Sequence, residues 1–276
     1  MGNFQKNKLR IRILAAIPAA AILIACIILH GWYIFVAAVV LAVELEIEMI
    51  HSLRRAGYHT CRPVLIGITL AMPLVYRFVG EFYVLALLVF GAATLFAVMI
   101  VRHDKYTAMD SMVNIFALIY PMAFVFFLFP IILEEDVALS QLMLVCAFAA
   151  AFGTDIFAYF SGILFGKRKL CPNISPNKTV EGAVGGLIGC IAITVLVGLL
   201  MGRHYMSWLH YLFLGIALGV LSQFGDLSAS MLKRQFQVKD FGNIMPGHGG
   251  LLDRVDSVLF TLPVVCVYFF LYFQLI

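Results

Sequence analysis

The 276-residue chain is 63% hydrophobic and 12% charged with a formal net charge of +4, and its mean hydropathy is +1.01. Those values exclude a soluble globular domain and point to a polytopic membrane protein. The small positive charge is informative through its distribution, and no nucleic-acid partner is expected.

The first stretch carries Lys6, Lys8, Arg10 and Arg12 before an apolar run. That pattern resembles a signal peptide, and Leu23-Ile24-Ala25-Cys26 resembles a lipoprotein cleavage box. A first membrane helix that is retained is the favoured reading, because many more spans follow. At about 20 apolar residues per crossing, the candidate spans are 11–29, 32–50, 63–80, 82–101, 111–133, 139–165, 182–202, 207–232 and 255–276. The fold class is therefore all-α, a polytopic integral membrane protein of about nine transmembrane helices. Its connections are short, so one membrane domain over residues 1–276 is expected.

Charge placement tests that layout. With a cytoplasmic N-terminus, all of the 19 Lys and Arg residues except Arg77 and Arg203 fall on the inner side, as the positive-inside rule asks. The six cysteines (Cys26, Cys61, Cys146, Cys171, Cys190 and Cys266) show no paired spacing. They read as small core hydrophobes rather than as a disulfide or zinc framework.

The second span ends in Glu44-Leu45-Glu46-Ile47-Glu48. A helix end surfacing at the cytoplasmic interface is the favoured reading, and a cavity lined by Glu44 and Glu48 the other. Farther on, Asp155 lies within an apolar run, and on a helix it shares a stripe with Tyr159 and Gly162. A carboxylate inside a span costs about 2.5–3.5 kcal/mol on insertion scales, so it normally faces the bundle interior and serves a function. Helix packing alone is the plainer explanation.

Next come Lys167, Arg168 and Lys169, then the polar cluster Ser175-Pro176-Asn177-Lys178-Thr179-Val180-Glu181 before another apolar run. The cluster reads as a helix N-terminus, where free N–H groups and Lys178 suit an anion, although N-capping alone also explains it. Gly182 and Gly186, with Gly185 and Gly189, give the small-xxx-small spacing of a close helix-packing face.

The densest polar stretch is Gly225 to Ser257. On a helix Asp226, Ser230 and Lys233 share one face, and Asp253, Asp256 and Ser257 share another. Between them Pro246-Gly247-His248-Gly249-Gly250 is too rich in Gly and Pro to be helix interior. A bare-backbone loop flanked by carboxylates and lysines suits a metal–phosphate complex. A solvated cytoplasmic loop is the plainer reading, and it is weakened because Asp226 lies on the apolar side of Lys233.

The run from Ser230 through Lys233, Arg234, Lys239, Asp240, Gly242, Pro246, His248, Gly249, Gly250, Asp253 and Arg254 to Asp256 resembles the signature of the phosphatidate cytidylyltransferases, or CDP-diacylglycerol synthases, of bacterial type. The block around Asp155, Tyr159 and Gly162, and the block from Ser175 to Gly182, are similar to other parts of that family's pattern. The resemblance is sharp over roughly residues 145–260. It implies transfer of the cytidylyl group of CTP to phosphatidate, giving CDP-diacylglycerol and pyrophosphate at the cytoplasmic face of a bacterial membrane. It implies Mg²⁺, with a second cation left open, and membrane lipids and a second copy of the chain as partners.

Carried onto this sequence, the resemblance puts the metal on Asp226 and Asp253. Lys178, Lys233, Lys239 and Arg254 are expected on phosphate groups. The remaining substrate-binding positions are Asp155, Tyr159, Ser175, Asn177, Thr179, Glu181, Ser230, Arg234, Asp240, His248, Gly249, Gly250 and Asp256, with Asp155 and Asp256 ranked behind the two metal carboxylates. Three other readings stay open. They are a transporter using intramembrane Asp155 and Asp226, a polyprenol or dolichol kinase-like enzyme, and a scaffold without turnover.

Overall fold

A chain in lipid must satisfy its backbone hydrogen bonds internally, and helices do so within each segment. The computed structural model describes residue 18, residues 20–244 and residues 249–275. The basic stretch Lys6 to Arg12 and the start of the first expected span lie outside the described residues. Each expected span contains helix, and six described helices are long and apolar enough to cross a membrane. The exceptions are α1, Ala20–Leu29, α2, Gly31–Arg55, which carries three glutamates, and α3, Arg62–Phe78, only 17 residues long.

The chain forms two compact units. The first holds the described residues up to Phe129 together with Phe236–Arg254. After α1, α2 and α3 come α4, Glu81–Val101, and α5, Ala108–Ala117. The expected span 111–133 is a broken helix. Tyr120 adopts φ −121° and ψ 118°, the extended conformation favoured for a residue preceding proline. The segment continues through a π-helical stretch, Leu118–Ala123, into α6, Phe124–Phe126, and α7, Leu128–Ile132. The favoured reading of the second span's end is corrected here, because Glu46 and Glu48 do not surface; they are 0% and 2% exposed.

The second unit holds Pro130–Gln235 and the residues from Val255 onward. It contains α8, Val137–Phe165, α9, Val180–Met201, and α10, Trp208–Gln235. The final helix, α11, runs over Leu252–Leu275. The end of the polar cluster is the helix start that was expected, with Thr179 as the N-cap of α9 and Glu181 in its first turn, but the residues before it are not a simple cap. Ser175–Thr179 is strand β2, paired antiparallel with β1, Lys169–Cys171. Pro172 favours the intervening turn, and Pro176 holds Ser175 extended. The helix begins one residue after Thr179, whose hydroxyl accepts the Gly182 N–H at 3.1 Å.

The glycine spacing of α9 packs it closely on α8. A Cβ at Gly186 would lie 2.9 Å from the Thr154 carbonyl and 3.0 Å from Ala158 Cβ, and one at Gly182 would lie 2.8 Å from the Ala158 carbonyl. On α10, Gly215 makes the same kind of approach to α9 at Ile191 Cα, 2.9 Å from its Cβ position, and Gly225 approaches the Asp256 carbonyl of α11 at 2.6 Å. Because Gly186 faces backbone rather than a flexible side chain, Gly186→Val must push α8 and α9 apart. We expect a loss of about 1–3 kcal/mol of stability, read as a lower thermal midpoint in detergent. Gly67→Ala, where nothing lies within 4 Å of the added Cβ, serves as the control.

Candidate active site

The polar residues of the second unit collect where α8, the hairpin, α9 and α10 meet. Asp155, Tyr159 and Gly162 line one wall of a cavity of about 540 Å³, together with Ala158 and Ile163. Leu170, Asn177, Lys178 and Thr179 of the hairpin complete it with Gly182 and Ala183 of α9, and Gln223 and Asp226 of α10. The volume lies in the range of small-molecule sites. The lining combines apolar side chains with two carboxylates, two amides and a lysine.

Lys178 and Asp226 form an ion pair, with side chains 27% and 26% exposed. Such a pair is sheltered enough to be ordered and open enough for a charged ligand to compete for either partner. Deeper in the unit, Asp256 is 6% exposed and accepts the Ser257 N–H at 2.7 Å. It interacts electrostatically with Asp226, Lys233 and Asp155. The i, i+7 spacing puts Asp226 and Lys233 on one face of α10, within electrostatic range of the same carboxylate. The negative charge of Asp155, Asp226 and Asp256 is offset in part by Lys178, which pairs with Asp226, and by Lys233, which acts on Asp256.

In the first unit, Asp253 is 9% exposed, and its Oδ2 accepts the N–H groups of Phe241 and Gly250, both at 2.9 Å. Gly249 has φ 85°, and a Cβ there would stand 3.0 Å from Asp253 Oδ2 and 3.1 Å from Asp240 Oδ1. A residue other than glycine is disfavoured on both counts. Lys239 and Arg254 are exposed and Asp240 half-buried. His248 lies outside the described residues.

Several expected residues have other neighbours. Glu181 does not line the cavity. It borders a separate groove with Phe157 and Ser161, and its carboxylate accepts the Lys167 N–H at 3.0 Å and the Arg168 N–H at 3.2 Å. It ties down the chain after α8, because two residues of helix turn it away from Thr179. Arg234 donates from Nε to the Ile174 carbonyl at 3.4 Å, bracing the hairpin turn. Ser175 and Ser230 are half-buried, and neither lines the cavity. Sequence reasoning missed Gln223, one turn before Asp226, whose Nε2 donates to the carbonyls of Gly219 at 2.9 Å and Ala183 at 3.2 Å. It considered Glu48 only as a surface or cavity-lining group and did not place its carboxylate against the Leu251 and Leu252 N–H groups, which it accepts at 2.9 and 2.8 Å. Its signal was a glutamate deep in an apolar run.

Among the described residues no group of three or more His, Cys, Asp and Glu side chains converges into a finished metal cage. The donor chemistry nevertheless fits Mg²⁺, which is ordinarily held by one or two carboxylates, with substrate phosphates and water filling the rest. Asp256, ranked second from the sequence, is a carboxylate of the second unit that interacts electrostatically with Asp226.

The sequence profile of the cytidylyltransferase family matches residues 10–272. The chain is 48% identical over 122 residues to a phosphatidate cytidylyltransferase of Bacillus subtilis, covering 44% of this chain and 43% of that protein. A phosphatidate cytidylyltransferase of Thermotoga maritima is 38% identical over 157 residues, covering 55% and 57%. Phosphatidate cytidylyltransferase 4, chloroplastic, of Arabidopsis thaliana is 50% identical over 119 residues, covering 42% and 29%. The matched regions thus span from 29% to 57% of these relatives' own lengths.

The Lys178–Asp226 pair makes a prediction independent of any activity. Asp226→Asn and Lys178→Met each leave one charge without its partner, so each lowers the thermal midpoint. The double variant loses less than the sum, by a coupling of about 0.5–3 kcal/mol. Strict additivity in a double-mutant cycle would mean that the two side chains do not interact.

Proposed function

The chain belongs to the cytidylyltransferase family, and from that premise we propose that it transfers the cytidylyl group of CTP to phosphatidate, releasing pyrophosphate and forming CDP-diacylglycerol. The observation that carries this reading is the Lys178–Asp226 ion pair in a cavity with Asp155, backed by Asp256 and Lys233. Lysines and carboxylates concentrated at one place suit a substrate whose negative charge needs partly lysine and partly metal neutralisation.

In the proposed reaction an ionised phosphate oxygen of phosphatidate attacks the α-phosphorus of CTP. A new P–O bond forms there as the bond to the β-phosphate oxygen breaks, and the electron pair leaves with pyrophosphate. No general base is needed, because the nucleophile is already charged. What the protein must supply is alignment and neutralisation. Lys178 turns from Asp226 to a phosphate group when substrate enters. Lys233 holds the charge balance around Asp256. Asp155 and Tyr159 shape the wall on α8, and Gln223 fixes α10 against α9 beside Asp226. Mg²⁺ held by Asp226 and Asp256 would neutralise phosphate oxygens as charge develops, and Asp253 is proposed, on the family resemblance, as a metal-binding carboxylate. Lys239, Arg254, Asp240, His248 and the Gly249–Gly250 backbone are proposed to contact the phosphates from the loop.

The lipid substrate accounts for the architecture. Acyl chains remain in the bilayer while CTP arrives from water, so the site belongs at a membrane boundary. The bias of Lys and Arg along the chain supports the cytoplasmic one.

The test is pyrophosphate release by the purified protein in mixed micelles. Release should require CTP, phosphatidate and Mg²⁺ together. Asp226→Asn should lower it at least about 100-fold, in the range for removing a preorganised charged group. Lys178→Met should raise the KM for a phosphate-bearing substrate. Release that proceeds equally without phosphatidate would contradict the lipid acceptor, and a fully active Asp226→Asn protein would remove Asp226 from the site.

A further inference from the structure

Glu48 stands 203 residues from Leu251 in the chain and accepts its N–H at Oε1, 2.9 Å, while Oε2 accepts the Leu252 N–H at 2.8 Å. The Leu252 N–H opens α11 and the Leu251 N–H immediately precedes it, where a helix start leaves donors unbonded. A buried carboxylate at that point takes charge-assisted hydrogen bonds and a favourable helix dipole together. The surrounding backbone is built around it. A Cβ at Gly242 would lie 2.9 Å from Glu48 Cγ, and one at Gly250 would lie 2.7 Å from Glu48 Cδ. Both glycines therefore let main chain press directly on the carboxylate.

The same loop is held at further points. Ser52, one turn along α2 from Glu48, donates its hydroxyl to the Phe241 carbonyl at 3.0 Å. Asp253 Oδ2 takes the Phe241 and Gly250 N–H groups, both at 2.9 Å. Phe241, Gly250, Leu251, Leu252 and Asp253 thus form one hydrogen-bonded knot, tied at Glu48 and Ser52 to α2. The direction of the Asp253 carboxylate depends on where Gly250 lies, and the position of Gly250 depends on Glu48.

We propose that Glu48 is a positioning residue for the transfer, one that fixes the first turn of α11 and the Gly249–Gly250 backbone and through them aims Asp253. This rests on the proposed cytidylyl transfer and adds a residue from the first half of the chain to it. Glu48 is 2% exposed, and both of its carboxylate oxygens are taken by backbone N–H groups. Its effect is on how often the groups beyond it are in register, so it belongs to kcat rather than to substrate affinity.

Glu48→Gln is the informative variant. It keeps the shape but replaces one acceptor by an NH₂ that faces a backbone N–H, donor against donor. Three quantities should be measured on the purified full-length protein in mixed micelles: hydrogen exchange across residues 249–253, thermal midpoint, and kcat and KM per folded molecule. For Glu48→Gln we expect faster exchange across 249–253, kcat lower by at least about tenfold, and KM for CTP within about threefold of wild type. Glu48→Asp keeps both acceptors on a shorter stem and should recover part of kcat. A lowered thermal midpoint with kcat per folded molecule unchanged would make Glu48 a structural cap only and overturn the proposal. So would unchanged exchange with unchanged kcat. If Glu48→Gln does not fold, Glu48→Asp decides alone, since wild-type kcat with wild-type exchange would mean that the exact reach of the carboxylate is immaterial. An inactive wild type with slow exchange at 249–253 would instead overturn the cytidylyl-transfer reading, and this proposal with it. An active wild type beside a fully active Glu48→Gln protein overturns the role of Glu48 alone.

Discussion

A carboxylate removed from water must be given partners, and much of this protein is arranged around that constraint. Each unit meets it differently. In the first, Glu48 and Asp253 are satisfied by backbone N–H groups of a loop and a helix start. In the second, Asp226 and Asp256 are balanced by Lys178 and Lys233. Amide partners are fixed by the fold and make a carboxylate rigid. A lysine partner on a flexible stem can leave when a phosphate arrives. The first arrangement suits holding a loop in place, and the second suits a site that exchanges ligands.

The glycines of the second unit decide how close those charges can come. Helices α8, α9 and α10 approach through Gly182, Gly186 and Gly215, where an added Cβ would meet neighbouring backbone at under 3 Å. In lipid, apolar burial gives little drive for helix association, so close packing of small residues carries much of it. The benefit here is also positional. The hairpin that follows α8 is brought over the end of α10, and Lys178 of β2 reaches Asp226. Gln223 then links α10 to α9 one turn away.

The legible and illegible parts of the sequence divide by range. Local periodicity was sufficient for Asp155, Tyr159 and Gly162, which share the cavity wall that the helical spacing implied. It was also sufficient for the glycine face of α9. Asp226 and Lys178 stood out as charged groups at the borders of apolar runs, and they pair. The hairpin was missed because a polar stretch before an apolar run looks the same whether it caps a helix or pairs as a strand; Pro172 and Pro176 were the available clue. Glu181 borders a separate groove instead of the cavity, because adjacency in sequence is not adjacency on a helix. The partners of Glu48 were illegible because they lie 203 and 204 residues away, and no local pattern encodes a contact of that range.

The central claim is that the nucleotide's α-phosphorus, and not its γ-phosphorus, goes to the lipid. Two parallel incubations of the purified protein with phosphatidate and Mg²⁺ test it, one with CTP labelled at the α-phosphate and one with CTP labelled at the γ-phosphate. Cytidylyl transfer predicts label in the lipid phase from the α position only, with the γ label recovered in pyrophosphate. Label entering the lipid from the γ position would mean phosphoryl transfer of the kinase type and would contradict the account.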